Sequence, residues 1–207
     1  MAFEVSEFLA LRSHAFHVTA RENLPRLRRI RRLDATATLL AEAGRPDLLR
    51  RRRTGSEFLV IGSEVVALKD QLPLIESNAD IPVPWTFQDL VEHLNQHVFF
   101  WPGSATAPIR AGRRLLDHYR EDGPAVIRVP SRDLLARNGS IVPLFCPFNS
   151  GAPRQQAGQR VRRGPDLFQA AAAFPRRASE VTELVFQSSA QLPDSCEVYS
   201  PSGWSAL

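Results

Sequence analysis

Three short segments carry residue types that could do chemistry together. Phe16-His17-Val18-Thr19 sets an imidazole and a hydroxyl two residues apart. In a strand that spacing puts His17 and Thr19 on one face, with Phe16 and Val18 turned to the core. The pair offers the mixed donors and acceptors that hold a ribose diol. Val98-Phe99-Phe100-Trp101 brings three aromatics onto one strand, Phe99 and Trp101 on one face and Phe100 on the other. Such rings fill a core or lie flat against a planar ligand. Ser179–Phe186 reads as a late strand that Glu180 opens. A carboxylate there can bond a sugar hydroxyl and stabilise positive charge developing on an anomeric carbon. Glu183 lies on the opposite face of that strand and competes for the same role, so only one of the two can enter a cleft.

Each segment also has a plain structural reading. A strand histidine is commonly bonded within the fold, and Thr19 with Glu22 forms the capping-box pattern T-x-x-E. His93 and His97 are four apart near a helix end and could share a face as metal ligands. No third ligand follows them, and the pattern is not H-E-x-x-H. Cys146 and Cys196 stand alone, so neither a cysteine zinc site nor a disulfide framework is expected. Phosphate-loop, dinucleotide-binding and nucleophile-elbow patterns are absent from the chain.

The elements that must position these residues alternate irregularly. The expected strands are Phe16–Thr19, a hairpin of Phe58–Ile61 and Val65–Leu68 turning at Gly62-Ser63, then Val98–Trp101, Ala125–Val129, Ile141–Cys146 and Val181–Phe186. The expected helices start after the Thr19 cap, after Asp34, at Pro46, after Thr86, at Pro108 and after Ser131. A long polar loop runs from Asn149 to about Pro165. Without regular βαβ alternation the pattern argues for an α+β fold. A single domain over residues 1–190 with a C-terminal tail from 191 to 207 is expected.

Composition bounds the partners. The chain has 207 residues, 43% hydrophobic and 23% charged, which suits one domain with a real core. Neither a secretory leader nor an apolar run long enough to span a bilayer is read, so a cytoplasmic protein without a membrane partner is expected. Of 26 basic residues only Lys69 is a lysine. A bias toward arginine over lysine would produce that excess anywhere, so the clusters matter more than the count. They are Arg26 to Arg32, Arg50 to Arg53, and Arg154, Arg160, Arg162 and Arg163. Charge runs are usually solvated faces, yet arginine clusters also suit phosphate.

The three chemical segments together resemble the ADP-ribosyltransferase superfamily, whose first strand carries an aromatic-His-x-Thr motif. The DarT-type toxins that modify DNA are the most similar group: His17-Val18-Thr19 is followed by Asn23-Leu24-Pro25, with Phe99-Phe100-Trp101-Pro102 and Ser179-Glu180-Val181 in similar order. The resemblance spans residues 16 to 186 on few matched positions. It departs at the aromatic position, where many relatives have Tyr, and at a nicotinamide-side arginine, for which Lys69 is the candidate.

The resemblance implies a split β-sandwich with peripheral helices and NAD, as co-substrate, held between two small sheets, with no metal. Glu180 would be the catalytic carboxylate, and His17, Thr19, Lys69, Phe99 and Phe100 would contact the dinucleotide. Asn149, Ser150, Arg154 and Arg163 would meet a nucleic-acid acceptor, DNA or RNA. A toxin or phage-defence role would imply an antitoxin or other regulatory protein. The alternative is a non-catalytic nucleotide- or nucleic-acid-binding module on the same fold.

Overall fold

The computed structural model describes residues 2–154, 158–200 and 203–207, the side chain of residue 122 excepted. Six α-helices are found among them: α1 (Val5–Leu11), α2 (Leu24–Ile30), α3 (Thr36–Glu42), α4 (Phe87–Asn95), α5 (Arg110–His118) and α6 (Ser131–Arg137). The strands are β1 (His14–Thr19), β2 (Arg32–Asp34), β3 (Glu57–Ile61), β4 (Glu64–Leu68), β5 (Ala79–Asp80), β6 (His97–Gly103) and β7 (Ala125–Pro130). They continue with β8 (Leu144–Cys146), β9 (Val161–Arg162), β10 (Gln169–Ala170), β11 (Glu183–Gln187), β12 (Ser189–Gln191), β13 (Glu197–Ser200) and β14 (Gly203–Ala206). The fold is mixed α+β, as the irregular alternation implies. No helix among the described residues is long and apolar enough to cross a membrane.

Eight strands form one antiparallel sheet in the order β10-β8-β11-β6-β1-β7-β13-β14. Phe100, Ile127, Phe145, Leu184 and Phe186 from four of these strands are fully buried in the main core, closed by Phe8 of α1 and Leu134 of α6. The stretch expected as a tail supplies β13 and β14, so it belongs to the sheet. Trp204 of β14 sits edge-on to Phe16 and under the Arg128 guanidinium, 4.2 Å from its ring centre.

The centre of the sheet is split. β1 pairs with β6 only over His14–Phe16, against Trp101–Gly103. β11 pairs with the other half of β6, Leu184–Gln187 against His97–Phe100. One strand thus changes partners between Phe100 and Trp101. His17 on one side and Glu183 on the other are the first residues released from β6. A cleft opens there, roofed by the β3–β4 hairpin.

That hairpin turns at Gly62, whose φ of +62° suits a two-residue turn. Two-residue alternation sends Leu59, Val66 and Leu68 inward against Leu39, Leu40 and Leu48, while Phe58, Val60 and Val65 face outward. The roof is tied to β1 by one buried side chain. Asn23 Nδ2 donates to the Ala67 carbonyl at 2.9 Å, and its Oδ1 accepts the Ala67 N–H at 2.8 Å. An amide here replaces a missing strand partner. Asn23→Ala leaves both groups unpaired in a buried setting, at about 1–3 kcal/mol each. It is expected to lower the unfolding free energy by about 2–4 kcal/mol. A denaturant melt unchanged within 0.5 kcal/mol or so would show that the hairpin holds without the clamp.

Several local expectations change. The T-x-x-E box does not form. Thr19 ends β1 and its Oγ1 accepts from Asn23 Nδ2 at 2.9 Å, because the chain makes a 3-10 turn over Arg21–Asn23 before Leu24-Pro25 opens α2. Asp34 caps nothing and is held by the Arg32 guanidinium. Thr86 does cap α4, in a capping box with Asp89. The late strand starts three residues after Glu180, because Ala178–Glu180 is a short 3-10 turn.

Candidate functional site

The cleft at the split is a cavity of about 260 Å³. His17, Thr19, Lys69, Phe99, Asn149 and Ser150 all line it, from elements 50 or more residues apart in places. Phe100 does not. It is fully buried in the core against Phe186, with ring centres 5.9 Å apart. Strand alternation decides this: Phe99 and Trp101 turn to the cleft and Phe100 turns away. Glu180 is also outside the cleft. It is exposed, its Oε2 accepts the N–H of Arg177 at 3.2 Å, and its Oε1 lies 3.7 Å from Arg176. Its carboxylate closes its own turn.

Of the two glutamates it is Glu183, 1% exposed, that lines the cleft, together with Asp34 and Asp70. It pairs with Cys146 across β11 and β8 and accepts the Ser150 N–H at 3.1 Å. Burial pushes its carboxyl up to about 7, against the opposing pull of Ser150 and the Arg163 charge. It therefore titrates where a proton acceptor is useful.

His17 is placed by the gap itself. Its Nδ1 lies 2.9 Å from the Phe99 carbonyl, the backbone group at the point where β1 leaves β6. A carbonyl only accepts, so Nδ1 carries the hydrogen. Burial lowers the ring pKa and keeps it neutral at pH 7, leaving Nε2 as an acceptor. Thr19 Oγ1, already accepting from Asn23, keeps its own hydrogen to give. An acceptor and a donor thus face one cleft wall.

Four basic side chains line the same cleft, and two of them, Arg26 and Arg32, are held by Asp34, Glu42 and Glu64. Lys69 Nζ lies over the Tyr119 ring, 4.4 Å from its centre. Arg53 is 6% exposed and gives its Nε to the Lys69 carbonyl and its Nη1 to Asn95 Oδ1, at 2.9 and 3.0 Å. No carboxylate among the described residues lies within 4 Å of it, and burial lowers its pKa to about 10. Asp70 and Glu57 act on it only from farther away, and a buried cation without a contacting counterion favours an anionic ligand. Sequence reasoning missed Arg53 because it is the last of four consecutive arginines; its backbone is held by Gln71, whose N–H donates to the Arg53 carbonyl at 2.8 Å and whose Oε1 accepts the Arg53 N–H at 3.1 Å.

Arg154 and Arg163 line a second cavity of about 470 Å³, which shares Pro73, Leu115 and Asn149 with the first. Arg163 is fully buried. Its guanidinium stacks 3.9 Å from the Phe148 ring centre and donates to the Val161 and Asn149 carbonyls. His93 and His97 form no metal site. Their rings pack on each other and on Phe168, and no metal-binding group of His, Cys, Asp and Glu occurs among the described residues. Both cysteines are buried and unpaired.

A family of unknown function, DUF7002, matches residues 13–196. The match covers the split, the cleft and every site residue named above, so the chain belongs to this family. No curated protein and no solved structure matches it.

Proposed function

We propose that this member of a family without an assigned activity is an NAD-dependent ADP-ribosyltransferase with a split-sandwich cleft, acting on a nucleic-acid acceptor. One observation carries the reading. A buried carboxylate near neutrality, Glu183, shares a cleft with a neutral histidine, a hydroxyl and a buried arginine that no carboxylate among the described residues contacts within 4 Å.

Each part has a role in that chemistry. His17 Nε2 and the Thr19 hydroxyl receive ribose hydroxyls as acceptor and donor. Arg53 meets the pyrophosphate, whose charge relieves its burial. Phe99 or Trp101 packs on the nicotinamide ring. Ionised Glu183 accepts a hydrogen bond from the ribose hydroxyl next to the anomeric carbon and stabilises the oxocarbenium-like transition state. The glycosidic C–N bond breaks, and nicotinamide leaves with the electron pair. An acceptor nitrogen or oxygen forms the new bond to that carbon, and Glu183 takes its proton. The sequence resemblance supports the same assignment with the carboxylate moved from Glu180 to Glu183.

The test is label transfer from radiolabelled NAD to DNA, RNA or cell lysate, beside Glu183→Gln and Glu180→Gln. The wild-type protein and Glu180→Gln are expected to transfer label equally, and Glu183→Gln to lose at least about 100-fold. Equal transfer by all three would remove Glu183 from the mechanism. No nicotinamide release under any condition would leave a binding module instead.

A further inference from the structure

The two edges of the roof hairpin differ. Its two-residue turn closes on Ile61 and Glu64. Such a closing pair exchanges both backbone hydrogen bonds, and the pattern then skips every second pair. By that rule Leu59 exchanges with Val66 and Glu57 with Leu68. Phe58, opposite Ala67, and Val60, opposite Val65, point their N–H and C=O groups away from the hairpin. Ala67 agrees with the pattern, because both of its groups go outward to the Asn23 amide. Asn23 thus closes the β4 edge at Ala67. Nothing equivalent closes the β3 edge. Among the described residues no hydrogen bond from outside the hairpin reaches the backbone of Phe58 or Val60.

The side chains along that open edge are apolar. Phe58 is 61% and Val60 67% exposed, and Val65 beside them is 53% exposed. Natural sheets guard an open edge with lysine, proline, a bulge or an inward charge. Phe58-Leu59-Val60, the middle of β3, has none of these. The charge at its start, Glu57, is paired with Arg51. A two-stranded ribbon is marginal by itself, and β3 and β4 form a sheet with no third strand among the described residues. The ribbon is therefore one strand short on the β3 side.

We propose that β3 is a dimerisation edge, and that the missing strand is β3 of a second copy of this chain. The edge is self-complementary. Antiparallel pairing about a two-fold axis at Leu59 sets Phe58 against the partner's Val60, and Val60 against the partner's Phe58. Both pairs join an aromatic to a β-branched side chain, a favourable cross-strand combination. Both use the outward N–H and C=O groups, so each pair exchanges its two hydrogen bonds and the two ribbons become one sheet. Glu57 falls opposite the partner's Ile61, so the two Glu57 carboxylates stand at opposite ends and do not meet. A foreign peptide added to an edge is selected by pockets for its alternate side chains. Neither cavity is lined by Phe58, Val60 or Val65. One strand edge with three exposed side chains buries less than the roughly 1,600 Å² of a standard interface, so the dimer is a weak one.

Sedimentation velocity on the full chain, from about 1 to 300 µM, reads the association, and amide hydrogen exchange at both ends of that range reads the edge. The wild type is expected to pass from monomer to dimer with a Kd of about 10–100 µM. Val60→Lys should weaken the dimer at least about 10-fold. Val142→Lys changes a valine of similar exposure, 65%, outside the hairpin, and should leave the Kd within about twofold. Exchange of the Phe58 and Val60 amides should slow about threefold or more at the higher concentration. The Val65 amide, on the β4 edge, should not change. A wild type that stays monomeric over the whole range overturns the proposal. Equal weakening by the two lysine variants overturns it in favour of unspecific apolar association. Protection of Val65 in place of Phe58 and Val60 overturns it by moving the contact to the other edge. The assay contains no NAD, so its outcome does not depend on the transferase reading.

Discussion

Glu183→Gln is expected to stabilise the protein above about pH 7 while removing its activity. In the unfolded chain this carboxyl ionises near 4.5; in the folded chain burial moves it to about 7. Between those values the native state holds a proton that the unfolded state has lost. Rising pH therefore favours unfolding across that window, and the penalty is complete above about 7. At 1.36 kcal/mol per unit the carboxylate destabilises the native state by about 3 kcal/mol there. Glutamine never ionises. Its advantage over the wild type should be absent below the unfolded value, grow through the window, and level off above it. The same group predicts that turnover rises through about pH 7 as the carboxylate forms. Chemical melts at a series of pH values check the first claim. A difference that stays flat across the window would mean that the carboxyl titrates like an exposed one.

The second large effect is expected at Arg163. Its guanidinium donates to carbonyls at both ends of the loop that begins after Phe148, Asn149 on one side and Val161 on the other. Arg163→Ala removes the side-chain donor from both carbonyls, leaving Asn149 only its long bond from the Ala152 N–H, exposes a face of Phe148 and opens a cavity. The expected loss is about 3–5 kcal/mol. A further consequence separates this from a simple packing defect. Arg163 holds the turn whose Ser150 N–H reaches Glu183, and its charge opposes the rise of the Glu183 carboxyl. Without it, the pH window described above should extend upward from about 7. Arg163→Lys keeps the charge and loses the stack, so it should restore the window more than the stability. An alanine variant within about 1 kcal/mol of wild type, with an unmoved window, would show that the loop is held elsewhere.

Much of the fold is legible in the sequence where local rules act alone. The Gly62-Ser63 hairpin, the Thr86 cap and the aromatic strand after α4 form as their residues dictate. The site is legible in part. His17, Thr19 and Phe99 reach the cleft because strand alternation carries them there. The errors share one cause. Glu180 and Glu183 are three apart, and the choice depends on where the strand begins. The backbone of Ser179-Glu180-Val181 is extended enough by composition to be a strand, but the Glu180 carboxylate closes a turn on Arg177. Thr19 fits a capping box, yet Asn23 claims its hydroxyl because it also has to hold Ala67, 44 residues away. No local pattern records such a distant demand. The role of Arg53 and the burial of Arg163 are invisible for a related reason, since burial of an arginine is set by what folds over it.

The run from Glu183 to Gln191 behaves like an axle carried in two bearings. Its first half is seated between β6 and β8. After Ser188, whose φ is +64°, the second half is seated against β2 and gripped by Asn138, which binds both the N–H and the carbonyl of Gln191. Strand registers can slip only in steps of two residues without turning the core face outward. Here a slip in one seat must occur in the other at the same moment. The position of Glu183 along the cleft is thus fixed twice over, by two separate seats. Insertions or deletions between residues 183 and 191 should be far less tolerated than in the loops on either side.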